Sequence, residues 1–263
     1  MEKNVLNKKI VIAFVLAAVI FLCVTAVHVL IPNDYGAYEK IINHVYDAVS
    51  FAVILVVFWV LTKIDLNKAE NKVFLYIFGG LFLWFLGDII WTFFIYLNIE
   101  PYVSVTDLIY YMGYGVFFAA MLSHIKIIKK TLESRKTIAA LAVFAVLSLI
   151  SVFAVFMPIF SSDVSLVEKI VSLTYPVGDM LILLFPLILV FNLKNLFSHW
   201  TFITAGLAIW SITDIIFVYF EINSIFSAWY YYLNMGYVLG LLLIGLGVYF
   251  FKLTHAQKVR KNG

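Results

Sequence analysis

GGLFLWFLGDIIWTFF, residues 79–94, and AGLAIWSITDIIFVYF, residues 205–220, decide how this chain is read. Each is a sixteen-residue apolar run with one carboxylate at its centre. Neither has the alternation of a half-buried strand, nor the polar face of a helix that meets water on one side. They also match without gaps at an offset of 126: Gly80, Leu81, Trp84, Asp88, Ile89, Ile90 and Phe94 recur as Gly206, Leu207, Trp210, Asp214, Ile215, Ile216 and Phe220. The correspondence continues outward. Met112-Gly113-Tyr114 matches Met235-Gly236-Tyr237 after a connection three residues shorter, and Asp47 and Asp179 stand 16 and 15 residues before Lys63 and Lys194.

Composition says in which solvent such runs fold. Of 263 residues, 64% are hydrophobic and 13% charged, and the mean hydropathy is +1.04. An average soluble domain is about 45–50% apolar and about 25% charged, so lipid is the natural surrounding. Eight apolar stretches reach spanning length, at about 10–31, 45–62, 73–98, 102–123, 137–160, 170–193, 200–221 and 226–251. The sequence therefore predicts an all-α, polytopic membrane protein with eight transmembrane helices in a four-plus-four parallel internal repeat. Residues 1–263 form a single transmembrane domain, with repeat one at about 10–130 and repeat two at about 137–252. The first stretch is too long for a signal-peptide core and lacks a small-x-small cleavage site, so it is expected to be retained.

An even number of spans per unit inserts both halves the same way round and relates them by a pseudo-two-fold axis along the membrane normal. Lysine and arginine set the orientation, since cytoplasmic loops carry the excess. On this topology sixteen of the 18 basic residues fall on one face, among them Lys3, Lys8, Lys9, Lys63, Lys129, Lys194, Lys252, Lys258, Arg260 and Lys261, while only Lys40 and Lys169 fall on the other. Localisation in the cell membrane with cytoplasmic N- and C-termini follows. The basic C-terminus is read as topology and anionic-lipid contact, with no nucleic-acid partner.

Five aspartates lie inside the spans: Asp47, Asp88, Asp107, Asp179 and Asp214. Each costs roughly 2.5–3.5 kcal/mol near a helix centre, so such groups turn to the bundle interior or to a wet cavity. On the topology above all five fall in the outer half of the membrane, the deepest roughly 10–15 Å below the surface at 1.5 Å per residue. Aromatic rings share their helix faces at spacings of three, four and seven: Trp84 and Trp91 around Asp88, Trp210 before Asp214, and Tyr110, Tyr111 and Tyr114 after Asp107. Tyr175-Pro176 precedes Gly178-Asp179, where the proline frees a backbone carbonyl. Carboxylates beneath aromatic faces suit a cation or an amine, so an acidic, aromatic, outward-opening cavity is expected. Trp229 to Tyr232 and Tyr102 read instead as an interfacial belt.

Other chemistries find less. Cys23 is the only cysteine, which excludes internal disulfides and cysteine-rich metal motifs. The five histidines show no HExxH or HxxxH spacing, and no P-loop, GxGxxG or glycine-flanked serine is present. No metal and no cofactor is expected. A paired-aspartate hydrolase built on Asp88 and Asp214 stays conceivable, because two carboxylates with split pKa values can act as acid and base.

WFLGDIIW at Trp84–Trp91, EPYVSVTDLIYYMGY at Glu100–Tyr114 and LTYPVGDMLIL at Leu173–Leu183 resemble, in order, the motifs of the multi-helix membrane input region found N-terminal to many prokaryotic diguanylate cyclases and sensor histidine kinases. The resemblance covers about 70–250. It implies a sensory, ligand-binding module without enzyme activity of its own. It marks Trp84, Asp88, Asp107, Tyr111, Gly113, Tyr114, Tyr175, Pro176 and Asp179, and through the repeat Trp210, Asp214 and Tyr237. With Asp47, the aspartates and aromatics of that set are the ligand-binding candidates. No output domain is present in this sequence, so a cytoplasmic signalling partner is expected beside the lipid bilayer and a small-molecule or lipid ligand. A fainter similarity to eight-span lysoplasmalogenase-like hydrolases rests on Gly87-Asp88 and Thr213-Asp214. A small-solute carrier is the third reading, which the parallel repeat permits.

Overall fold

The computed structural model describes residues 2–30, 35–193, 198–222 and 228–262, with side chains over 8–30, 40–193, 198–222 and 232–255. The side chains of Lys3, Lys194, Lys258, Arg260, Lys261 and Trp229 to Tyr231, to which the sequence assigns an orientation or a belt, lie outside the described residues. The elements are α1 (Glu2–Leu30), α2 (Tyr35–Leu61), α3 (Ala69–Tyr96), α4 (Val105–Ile128), α5 (Ser134–Ser151), α6 (Met157–Ser161), α7 (Leu166–Asn192), α8 (His199–Ile222) and α9 (Ala228–Asn262). Among the described residues there is no strand. Eight helical segments are long and apolar enough to cross a membrane, the fifth formed by α5 and α6 together. A π-helical turn at Val152–Phe156 joins these two. Pro158 follows in the first turn of α6, and its missing N–H breaks the regular ladder there.

Six helices close into a ring: α2 packs on α3, α3 on α4, α4 on α7, α7 on α8, α8 on α9, and α9 back on α2. Outside the ring, α1 lies against α9 and α5 against α7. α1 has little covered surface; Leu22 is 64% exposed, and Val24 and His28 are its buried residues. Aliphatic side chains left outward in this way, with a single ion pair among the described residues (Lys136–Glu133, at an exposed helix start), are compatible with a multi-pass membrane protein.

Local signals fix the ends that matter for the site. α3 stops at Asn98, whose φ of 54° is the left-handed cap conformation that asparagine tolerates, and the Ile99 N–H returns to the Phe94 carbonyl at 2.9 Å. Val103 also has a positive φ, 57°, costly for a β-branched residue, immediately before α4 begins at a capping box. There the Ser104 side chain accepts from the Thr106 N–H at 3.1 Å, and Asp107 accepts from the Ser104 N–H at 2.6 Å. A second box, Ser165 with Glu168, starts α7.

Glycines let the ring helices touch. A Cβ on Gly206 would stand 2.5 Å from the Gly240 carbonyl oxygen and 2.8 Å from Ile244 Cγ1, whereas one on Gly115 meets nothing within 4 Å. Gly206→Ala is therefore expected to lower stability in detergent by about 1–3 kcal/mol through overpacking. Gly115→Ala is expected to be neutral or stabilising by about 0.5–1 kcal/mol, because alanine is the better helix former. Reversible unfolding followed by circular dichroism compares the two.

Candidate functional site: an aspartate–tyrosine layer inside the ring

At the centre of the ring the indoles of Trp84 on α3 and Trp210 on α8 stack, centroids 4.6 Å apart and planes 28° inclined. Each tryptophan receives a tyrosine edge-on: Tyr114 meets Trp84 at 5.3 Å and 72°, and Tyr237 meets Trp210 at 5.5 Å and 66°. Gly113 makes the first contact feasible, since a methyl group there would overlap the Trp84 indole. Gly178 on α7 does the same for the Tyr114 ring, to which its Cβ would approach within 2.8 Å.

The tyrosine hydroxyls end on carboxylates. Tyr114 Oη lies 2.9 Å from both Asp179 Oδ1 and Asp214 Oδ2, and Tyr237 Oη donates to Asp214 Oδ1 at 2.5 Å. One phenol thus joins α4 to α7 and α8, and draws the two carboxyl groups to within twice its bond length. Asp179 is fully buried, and its second oxygen, Oδ2, has no hydrogen-bond partner. Asp88 accepts from Tyr110 Oη at 2.7 Å and likewise keeps a buried, unpartnered Oδ2. Asp47 accepts from Thr92 Oγ1 at 3.1 Å, and its Oδ1 is unpartnered. Three carboxylates therefore hold one oxygen against a hydroxyl and present the other unfilled. A buried acceptor without a donor costs about 1–3 kcal/mol, more when charged.

Asp107 differs. Both its oxygens are occupied, one by the capping box and the other by Tyr175 Oη at 2.5 Å, and it is 3% exposed. It caps α4 and bonds α7 as well; the Ser104-x-x-Asp107 spacing carries that signal in the sequence. Tyr111, expected beside it, donates to the Val171 carbonyl at 3.0 Å. The Tyr175 ring lies between Tyr110, Tyr111 and Tyr114, with centroids 6.3, 5.3 and 6.4 Å away. The turn of α7 before Pro176 is thus bonded from α4 and its loop: Tyr111 takes the Val171 carbonyl, and Tyr102 meets the Ser172 hydroxyl in a short hydrogen bond. Burial pushes the Tyr102 hydroxyl above the usual phenol range, opposed by the Ser172 bond and reinforced by the carboxylates of Glu221, Asp107 and Glu168, so it is a neutral donor.

Tyr114, Asp179, Trp84, Trp210, Asp214 and Tyr237 therefore meet in one layer, with Tyr175 beside them and Asp88 joined through Tyr110, whose ring lies 6.3 Å from that of Tyr175. Asp47, Asp107 and Tyr111 bond at its margins. Asp214 has Asp179 as its carboxylate neighbour across Tyr114, while the hydrogen bond to Asp88 comes from Tyr110. Tyr110, Thr92 and Tyr46 stand outside the ligand set read from sequence. Tyr46 packs edge-on against Trp210 and Tyr237, at 6.4 and 6.2 Å. A tyrosine three residues from one aspartate and one next to another gave no hint that each would turn to a different helix. Among the described residues no group of three or more histidine, cysteine, aspartate or glutamate side chains comes close enough to hold a metal ion.

No protein-family model matches this chain, and no curated protein or solved structure matches it either.

Tyr114→Phe removes the one hydroxyl bonded to Asp179 and one of the two bonded to Asp214. It is expected to cost about 1–3 kcal/mol of stability, because the single hydroxyl that bridges two buried carboxyl groups is lost. Tyr111→Phe, which releases a single backbone carbonyl, is expected to cost about 1 kcal/mol or less. Chemical unfolding of both variants in the same detergent ranks them.

Proposed function

We propose that this chain is an integral membrane ligand-binding module of the sensory type, without enzyme activity of its own. Its ligand is a small or lipidic molecule bearing a cationic or hydrogen-bond-donating group. The observation that carries this reading is the set of half-filled carboxylates: Asp47, Asp88 and Asp179 each offer a buried oxygen with no donor, around a layer faced by Trp84, Trp210, Tyr114 and Tyr237. A donor entering that layer meets acceptors already desolvated and aromatic faces that favour positive charge. α7, interrupted at Pro176 and Pro186 and joined to α4 through Tyr114 and Tyr175, is the element that would report occupancy. A cytoplasmic signalling partner would receive that change.

The frame of the site is a parallel internal repeat, with both termini on the cytoplasmic, lysine-rich side. The paired contacts of Trp84 with Tyr114 and Trp210 with Tyr237 support it, as do Gly80 against Phe117 and Gly206 against Gly240 at positions 126 and 123 apart. Helix pairs α3–α4 and α8–α9, and α2–α3 and α7–α8, correspond in the same way. The outer helices do not follow the axis: α1 rests on α9, and a two-fold would set α5 on α4, whereas α5 rests on α7. The duplication is accordingly a property of the six-helix ring. A hydrolase working through Asp88 and Asp214 gains nothing from these contacts, since the two are engaged by different tyrosines.

Mass spectrometry of small molecules and lipids retained by the purified chain, repeated on Asp88→Asn with Asp179→Asn, tests the reading. A species that co-purifies with the natural chain and is lost from the double variant, with helix content unchanged, is the expected result. The same retained profile in both would overturn it.

A further inference from the structure

The opposite end of the ring carries a second arrangement, independent of the aspartate layer. Lys252 of α9 holds its ammonium 3.3 Å from the centre of the Trp59 ring of α2; Lys63 follows Trp59 by one helical turn, and Lys9 of α1 precedes Ile10, which faces Tyr249, one turn before Lys252. None of the three forms an ion pair within the described residues. Asp65, the closest acid in sequence to Lys63, is turned to its own loop, accepting from the Asn67 N–H at 3.0 Å. Three cations at one end of the ring with no counter-charge among the described residues are unfavourable unless an anion joins them.

A groove begins one helical turn deeper. Ile10 and Ala13 of α1 form one wall and Phe202 of α8 with Leu246, Tyr249 and Phe250 of α9 the other of a shallow groove that is open along one side. Its lining is apolar apart from the Tyr249 hydroxyl, and Trp59 stacks on the Tyr249 ring at 6.2 Å, linking the groove to the seat of Lys252. Ile10 follows Lys9 directly, and Tyr249 lies three residues, one turn, before Lys252. Positive charge at the membrane boundary with an apolar groove directly beneath it is the shape of a lipid with a charged headgroup.

We propose that Lys9, Lys63 and Lys252 bind the phosphate of an anionic phospholipid, one of whose acyl chains lies along the groove between α1 and the α8–α9 pair. A free phosphate would satisfy the lysines but leave the groove empty, and a zwitterionic lipid would fill the groove but bring its own cation to the lysines. The bound lipid fastens α1, the helix with least covered surface, to the ring.

Native mass spectrometry of the delipidated, detergent-solubilised chain titrated with dioleoyl phosphatidylglycerol or dioleoyl phosphatidylcholine tests this. One phosphatidylglycerol is expected to bind in preference to phosphatidylcholine, and Lys9→Gln with Lys63→Gln and Lys252→Gln to weaken it about a hundredfold, from the usual contribution of each lysine at a membrane surface. Lys126→Gln with Lys129→Gln and Lys130→Gln, an equal loss of charge between α4 and α5, is expected to stay within about threefold. Ala13→Trp, which fills the groove and leaves every lysine in position, should weaken phosphatidylglycerol about tenfold, since it denies the chain its place. Equal affinity for the two lipids, equal loss in the two triple variants, no effect of Ala13→Trp, or displacement of the lipid by millimolar inorganic phosphate would each overturn the proposal.

Discussion

A carboxylate taken out of water must be given hydrogen-bond donors, and in a bundle whose interior is hydrocarbon and aromatic rings few residues can give them. Tyrosine serves this need well, because its ring belongs in the core while its hydroxyl carries a proton to the far end of the side chain. Here every aspartate within a span takes a donor from a neighbouring helix. Thr92 reaches Asp47 between α3 and α2, Tyr110 reaches Asp88 between α4 and α3, and Tyr175 reaches Asp107 between α7 and α4. Tyr114 reaches both Asp179 and Asp214 from α4, and Tyr237 reaches Asp214 between α9 and α8. These bonds follow the ring around and, at Tyr114, cross it. In lipid, where helices gain little by hiding apolar surface from one another, polar contacts of this kind and close glycine packing decide which helices become neighbours.

The same arrangement bears on the proposed function. An apolar core would hold the ring together with no orphaned acceptors. This core keeps Asp47 Oδ1, Asp88 Oδ2 and Asp179 Oδ2 buried without a donor, a cost that a purely structural network has no reason to bear. Such half-satisfied groups are where a ligand gains most for each hydrogen bond it makes. Because they sit on α2, α3 and α7, a ligand that fills them draws together helices at different points of the ring, including the one interrupted by two prolines.

The eight spans were legible because their signal is local: length, apolar composition and the absence of periodic polarity are written residue by residue. The aspartates were legible as a group for the same reason, each being an anomaly in its own apolar run. Their partners were not. Spacings of three and four say which side chains share a helix face, and nothing about which helix that face meets; Tyr110 and Tyr114, four apart, therefore bond to different helices. Asp214 finds Asp179 through a phenol 100 residues away in sequence. The capping role of Asp107 is local and readable, since Ser104-x-x-Asp107 has the spacing of a capping box. The packing of the outer helices was not legible either, because α1 and α5 carry no intramembrane aspartate to mark a partner.

The claim on which the rest depends is that Tyr114 couples Asp179 and Asp214 across the ring. A double-mutant cycle on unfolding free energy in detergent, combining Tyr114→Phe with Asp179→Asn and, separately, with Asp214→Asn, measures that coupling directly. The account predicts an interaction energy of about 1 kcal/mol or more in both cycles, with Tyr111→Phe additive to either asparagine variant within about 0.5 kcal/mol. Additivity of Tyr114→Phe with both asparagine variants would contradict it, for the phenol would then be packing beside the carboxylates without joining them.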